Sequence, residues 1–209
     1  MKHIAIFLIA LYAVSTRAGG LESLENFVKT TKSGRADFTQ AVTAPPKDGA
    51  AARTRTSNGS FEFARPNRFR FTYRKPFEQT IVADGQTLWL YDQDLNQVTA
   101  RKQAQALGAT PAALIASAAD LNALQADFSL VDAPARDGLQ WVLATPKARD
   151  GQLQSVRIGF RGADLAALEM QDSFGQRSVL TFSAFVANAA VDPASFVFKP
   201  PPGADLIRQ

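Results

Sequence analysis

The chain has 209 residues, with 23 lysines and arginines against 19 aspartates and glutamates, no cysteine, and one histidine, His3. That composition excludes disulfides, Cys/His zinc sites and Ser-His-Asp or Cys-His nucleophiles from everything after the first few residues. The formal charge is only +4.

Residues 1–18, MKHIAIFLIALYAVSTRA, read as a secretory signal peptide: basic Lys2, an apolar run over 4–14, and a small-residue exit at Ala18. The run is too short to cross a hydrocarbon core of roughly 30 Å, which takes about 20 apolar residues. Residues 19–209 are then expected to form a single exported domain. Losing Lys2 and Arg17 leaves 21 basic against 19 acidic residues. Arginines do cluster between 53 and 75, which reads as a solvated strand face or, more sharply, as a contact for anionic headgroups or an acidic partner; in an exported chain no nucleic-acid partner is expected.

Leu21, Leu24 and Val28, with Phe27, fall at helical spacing, and Gly34 is the expected stop. The period then changes to two. Residues 36–43 read as a strand, as do the segments carrying Phe61 and Phe63 and then Phe69, Phe71 and Tyr73, with Arg68, Arg70 and Thr72 on the opposite face. Further strands are expected over 79–83, 87–92, 97–102, 139–144, 153–160, 164–171, 177–187 and 195–199. Asn58-Gly59, Asp84-Gly85, Asp137-Gly138 and Asp150-Gly151 are hairpin-type dipeptides, and Gly162 and Gly175 keep the same rhythm. This spacing predicts an antiparallel meander.

Residues 104–126 break the rhythm. Thr110-Pro111 pairs an N-cap with a proline at the first helical position, and Asp120 opens a second helical stretch carrying Leu121 and Leu124. Helices this short need a surface to lie on, so the prediction is a strongly curved sheet whose concave side they cover, an α+β, mainly β fold. Leu88 and Leu90 oppose Trp89 and Tyr91, and 15 phenylalanines outnumber 3 tyrosines and 2 tryptophans. That balance suits either an apolar cavity or a thick packed core.

Asp92-x-Asp94-x-Asn96 begins like a calcium loop, but Gln97 and Gln103 stand where its glycine and bidentate glutamate belong, so it reads as a hairpin tip. Asn58-Gly59-Ser60 is a glycosylation sequon read as a turn, and Lys199-Pro-Pro-Pro-Gly203 as a rigid extended exit. There is no GxSxG, P-loop or dinucleotide glycine pattern, and neither a cofactor nor a metal is expected.

The stretch 59–99 resembles the periplasmic outer-membrane lipoprotein carrier family, LolA. The resemblance rests on G-x-F-x-F-x-R-P-x-x-F-R, on Tyr-x-x-Pro-x-x-Gln ending at Gln79, on Val82-Ala-Asp-Gly85, on Leu88-Trp-Leu-Tyr-Asp92 and on Asp94-Leu-x-Gln-Val98. It extends more loosely to Phe38-Thr-Gln40, Thr110-Pro111 and Phe196-x-Phe-x-Pro-Pro. Phe71 stands where members often have tryptophan, and residues 44–57 have no family pattern.

The resemblance implies an incomplete, half-open antiparallel barrel with a helical lid, carrying acylated lipoproteins across the periplasm. It implies a monomer loaded by an inner-membrane ABC-type release complex and unloaded at an outer-membrane acceptor, with no catalysis. Alternation and helical spacing nominate Phe61, Phe63, Phe71, Leu88, Leu90, Leu114, Ile115, Leu121 and Leu124 for the apolar cavity. Phe69 is either a core residue or a partner-docking one. Arg65 is either a turn arginine or a latch whose donors reach the carbonyls of the helical segment.

Three other readings compete. An outer-membrane barrel would need an apolar outer band, which Arg68, Arg70, Arg157 and Arg161 interrupt. A regulatory module sensing lipid or protein ligands could use the same half-barrel. A carboxylate-pair hydrolase lacks a convincing pair.

Overall fold

A computed structural model describes residues 19–46, 51–106, 118, 120–148 and 151–209. The first helix, α1 (Gly20–Thr30), leads into β1 (Ser33–Ala44), β2 (Arg53–Ala64), β3 (Arg68–Lys75), β4 (Gln79–Asp84), β5 (Thr87–Asp92) and β6 (Gln97–Lys102). Two short helices, α2 (Gln103–Ala106) and α3 (Leu121–Asp127), precede β7 (Phe128–Arg136), β8 (Leu139–Pro146), β9 (Leu153–Arg161), β10 (Asp164–Asp172) and β11 (Arg177–Ala187). A 3-10 turn, Pro193–Phe196, and β12 (Asp205–Arg208) close the chain.

All twelve strands lie in one sheet, ordered β12-β6-β5-β4-β3-β2-β1-β11-β10-β9-β8-β7. It consists of two antiparallel meanders, β1 to β6 and β7 to β11, sewn together where β1 pairs with β11. β7 and β12 form free edges, so the sheet is open rather than a closed barrel, and β12 pairs in parallel with β6.

One face carries the core. Period two sends Ala36 and Phe38 of β1, Phe61 and Phe63 of β2, Phe69 and Phe71 of β3, and Leu180 and Phe182 of β11 to the same side. Val156, Ile158 and Phe160 of β9 join them. A register shift between Leu165 and Ala167 resets the alternation of β10, so that Leu165 and Leu168 both face inward. The opposite face holds a small cluster of Leu139, Trp141, Ala166 and Ala167. There the ring of Trp141 lies against Gly159, where a Cβ would stand 2.9 Å from ring carbons.

The structure corrects several sequence expectations. The first helix ends at Thr30, and Gly34 lies within β1, where a Cβ would meet the Phe63 ring at 2.7 Å. Asn58-Gly59 is not a turn: both residues are inside β2, and Gly59 is needed because a Cβ there would stand 2.0 Å from the Thr72 carbonyl oxygen. Residues 53–57, part of the 44–57 segment without a family pattern, pair along β1. The strand expected at 195–199 is instead a 3-10 turn followed by extended chain, and β7 and β12 were missed. Asp137 and Gly138 do form the positive-φ turn between β7 and β8, with φ of 55° and 74°.

Candidate functional site

The core face of the sheet is a phenylalanine floor. Phe61 stacks on Phe71 with centroids 4.4 Å apart and on Phe63 at 5.6 Å, while Phe38 meets Phe71 edge-on at 5.3 Å. Across the seam between meanders, Phe61 touches Phe182 at 5.6 Å. The rings pack on one another, so the floor is continuous from β3 to β11.

Helix α1 lies on this floor. Leu24, Phe27 and Val28 share its buried face, and Phe27 sits 5.5 Å from Phe160 and 6.3 Å from Phe63. Its start is fixed by Asp132 of β7, whose Oδ1 accepts from the Leu21 N–H at 2.8 Å, a carboxylate placed at the positive end of the helix dipole. Gly20 permits this approach, since a Cβ would stand 2.1 Å from the Trp141 carbonyl oxygen. The far end is clamped by Asn188, which donates to the Thr30 carbonyl at 3.0 Å and accepts from the Lys32 N–H at 2.8 Å.

Helix α3 is held more lightly. Asp120 caps it through the Ala123 N–H at 2.9 Å, Leu124 is buried in the core, and Lys147 donates to the Gln125 carbonyl at 2.6 Å.

Arg65 joins the two helical regions. It sits between β2 and β3, its Nε donates to the Thr31 carbonyl just past α1, and one terminal nitrogen donates to the Ala118 carbonyl ahead of α3, both at 2.8 Å. Its guanidinium carbon lies 5.4 Å from the Phe27 ring centroid and 5.5 Å from that of Phe63. The other terminal nitrogen is buried without a partner among the described residues. Burial pulls the Arg65 pKa down to about 10, so the group still carries its charge at neutral pH. Buried Gln103 accepts from the Gly85 N–H and donates to the Asn67 carbonyl, tying the β4–β5 turn to the β2–β3 turn that carries Arg65.

Phe61, Phe63, Phe71, Leu88 and Leu124 are buried in one cluster, with half-buried Leu90 and Leu121 packed against it. Leu114 and Ile115, with Thr110 and Pro111, lie outside the described residues. Phe69 is fully buried, edge-on to Phe71 at 6.2 Å. With 0% exposure the ring is a core residue in this state.

Sequence reasoning missed how fully α1 occupies the floor. It also missed a polar chain within the floor: the Tyr73 hydroxyl donates to Gln40 Oε1 at 2.9 Å, and Gln40 Nε2 donates to Ser178 Oγ at 2.8 Å. The available signal was a glutamine and a serine at inward positions of strands whose other inward residues are apolar.

Three charged groups meet on the face opposite the core, where Glu169 accepts from Arg136 and forms an ion pair with Arg177. Among the described residues no group of His, Cys, Asp and Glu is arranged to hold a metal ion.

Comparison with known proteins agrees with this geometry. Residues 29–199 match the family described as outer membrane lipoprotein carrier protein LolA. A protein of Albidiferax ferrireducens named outer-membrane lipoprotein carrier protein is 68% identical over 213 residues, covering 100% of both chains. One of the same name from Leptothrix cholodnii is 55% identical, covering 93% of this chain and 88% of its own. Among solved structures, an uncharacterized conserved protein from Thermus thermophilus shares the fold with a TM-score of 0.53 at 13% identity, covering 90% of this chain and 98% of its own.

Proposed function

The chain belongs to the outer-membrane lipoprotein carrier family, LolA, and on that premise we propose that it is a periplasmic chaperone for acylated lipoproteins. It takes lipoproteins released from the inner membrane by an ABC-type complex and hands them to an acceptor at the outer membrane. The observation that carries this reading is the phenylalanine floor under α1 and α3, with both helical regions tied by one arginine to backbone carbonyls.

The physical problem is the cost of moving acyl chains through water. Each methylene contributes about 0.8 kcal/mol, so a single long chain meets a barrier of roughly 10 kcal/mol unless it is sheltered. The floor of Phe38, Phe61, Phe63, Phe71, Phe160 and Phe182 shelters such chains by area alone and calls for no catalytic group. In the empty protein these rings and the helical regions cover one another, so cargo must displace the more lightly held helical region from the floor. The Arg65 bonds then act as a latch: they favour the closed empty state and so oppose retention of cargo at the moment of delivery.

The test is mass spectrometry of material that co-purifies with the protein from the periplasm. Diacylated or triacylated lipoproteins bound one to one are the expected result. Recovery of unacylated protein ligands alone would refute the carrier reading in favour of a regulatory module.

A further inference from the structure

Apart from Arg65, the core face of the sheet carries a chain of polar side chains among the described residues. Tyr73 lies on β3, Gln40 on β1 and Ser178 on β11, and their bonds run across the strands that sew the two meanders together. Tyr73 is 5.0 Å edge-on from Phe38 and 6.2 Å from Phe71, and Ser178, 7% exposed, alternates with Leu180 and Phe182, while Gln40 and Tyr73 are half-buried. Burial pushes the Tyr73 phenol up to about 12.

Polar groups in such a place cost free energy unless their hydrogen-bonding capacity is used. Here it is used only in part. The phenol hydrogen goes to Gln40 and one amide hydrogen goes to Ser178. Among the described residues, the second amide hydrogen of Gln40 and the hydroxyl hydrogen of Ser178 have no acceptor. The chain therefore ends in spare donors, with the phenol orienting the amide and the amide orienting the hydroxyl.

Position gives those donors a meaning. Arg65 is at one end of β2, above the Phe63–Phe69 pair; Gly59, opposite Tyr73, is four residues away from Phe63. At a rise of roughly 3.4 Å per residue that separation is about 14 Å, with Phe61 and Phe71 between. The floor thus has an apolar end under the latch and a polar end remote from it.

We infer that Gln40 and Ser178, held by Tyr73, form a polar subsite for the carbonyl oxygens of the ester or amide linkages that join acyl chains to their protein. The inference rests on the carrier reading and adds to it a means of orienting cargo. Apolar walls accept any hydrocarbon, whereas a few placed donors fix the direction in which it enters. Acyl chains then run toward Arg65, and the glyceryl and peptide portion lies at the β1–β11 end.

The experiment compares two probes on the full mature protein: diphenylhexatriene, which has no hydrogen-bonding group, and a synthetic tripalmitoyl-glyceryl-cysteine peptide that displaces it. Ser178→Ala and Gln40→Leu should weaken the peptide about tenfold, the equivalent of 1.4 kcal/mol, while diphenylhexatriene binds within twofold of the parent. Ser178→Thr, which restores a hydroxyl, should recover peptide affinity. Equal weakening of both probes would show that the chain only packs the floor, and unchanged peptide affinity in Ser178→Ala and Gln40→Leu would show that it recognises nothing; either result overturns the subsite. If the parent protein retains neither probe, the carrier reading itself falls and takes the subsite with it.

Discussion

Replacing Arg65 by leucine separates the latch from the fold. The side chain makes two charge-assisted bonds to carbonyls at 2.8 Å, each worth about 1.5–3 kcal/mol where donor or acceptor is ionised. Against this stands the cost of burying the guanidinium, whose pKa falls from 12.5 to about 10; at 1.36 kcal/mol per unit that is about 3 kcal/mol. One terminal nitrogen is also buried without a partner among the described residues, which costs about 1–3 kcal/mol more. The terms nearly cancel, and a leucine keeps the apolar contact with Phe27 and Phe63. Arg65→Leu should therefore shift the melting temperature by only a few degrees, at about 2–4 °C per kcal/mol for a chain of this size. The tie to Ala118 is lost outright, however, and the balance between closed and open forms moves by roughly tenfold per 1.4 kcal/mol. Amide hydrogen exchange across 120–127 should accelerate, lipoprotein should load readily from the release complex, and transfer to the acceptor should fail. Normal delivery at normal abundance, with exchange across α3 unchanged, would show that Arg65 is only part of a turn.

Phe69→Glu should cost about 3–5 kcal/mol in a thermal or denaturant melt, because its ring is fully buried; a near-parental melt with blocked transfer from the release complex would restore the docking role. Gly59→Ala should cost about 2 kcal/mol or more by calorimetry, since the added carbon would stand 2.0 Å from the Thr72 carbonyl oxygen, and a neutral result would mean β2 and β3 separate easily. At Asp84, burial raises the carboxyl pKa, but hydrogen bonds from the Thr87 N–H, the Trp89 indole and the Gln86 N–H outweigh it and hold the group below its ordinary value. That stabilisation is present above the unfolded pKa and lost as pH falls through the lowered folded one. Urea melts below about pH 4 should therefore show a loss of stability that Asp84→Asn lacks, Asp being near 3.9 when unfolded.

How legible these features were depended on whether a local signal existed. The Phe61/Phe63 and Phe69/Phe71 alternation marked both strands, and the structure settles the inward face on the side that keeps Glu62 of β2 and Arg68 and Arg70 of β3 out of the core. β7 was illegible: Phe128–Arg136 is mostly exposed, carries Pro134 and lies at a free edge, so half-burial never imposed a pattern on it. Asn58-Gly59 misled for a related reason. The dipeptide favours turns, but here the glycine answers a close approach from Thr72 and Phe38 that no local pattern records. Arg65 could be nominated from its place before Pro66, yet its two carbonyl partners are 34 and 53 residues away in sequence. The polar chain needs three strands brought together, and no local period announces it.

The two helical regions over the floor are not equally free to leave it. Displacing α1 would break the Asp132 cap, the Asn188 clamp, the Gly20 contact with the Trp141 backbone, and the burial of Leu24, Phe27 and Val28. Three apolar side chains alone represent about 5–9 kcal/mol at 1.5–3 kcal/mol each. Displacing α3 exposes one fully buried residue, Leu124, with half-buried Leu121, and breaks the Lys147 bond at its exposed end. Arg65 touches both sides, but its bond to Thr31 lies beside the anchored helix and its bond to Ala118 beside the lighter one. On the proposed latch, the Ala118 bond is the one that opening would part, with the guanidinium left seated against Phe27, Phe63 and Thr31. The closed form can then be regained without the arginine having to find its site again.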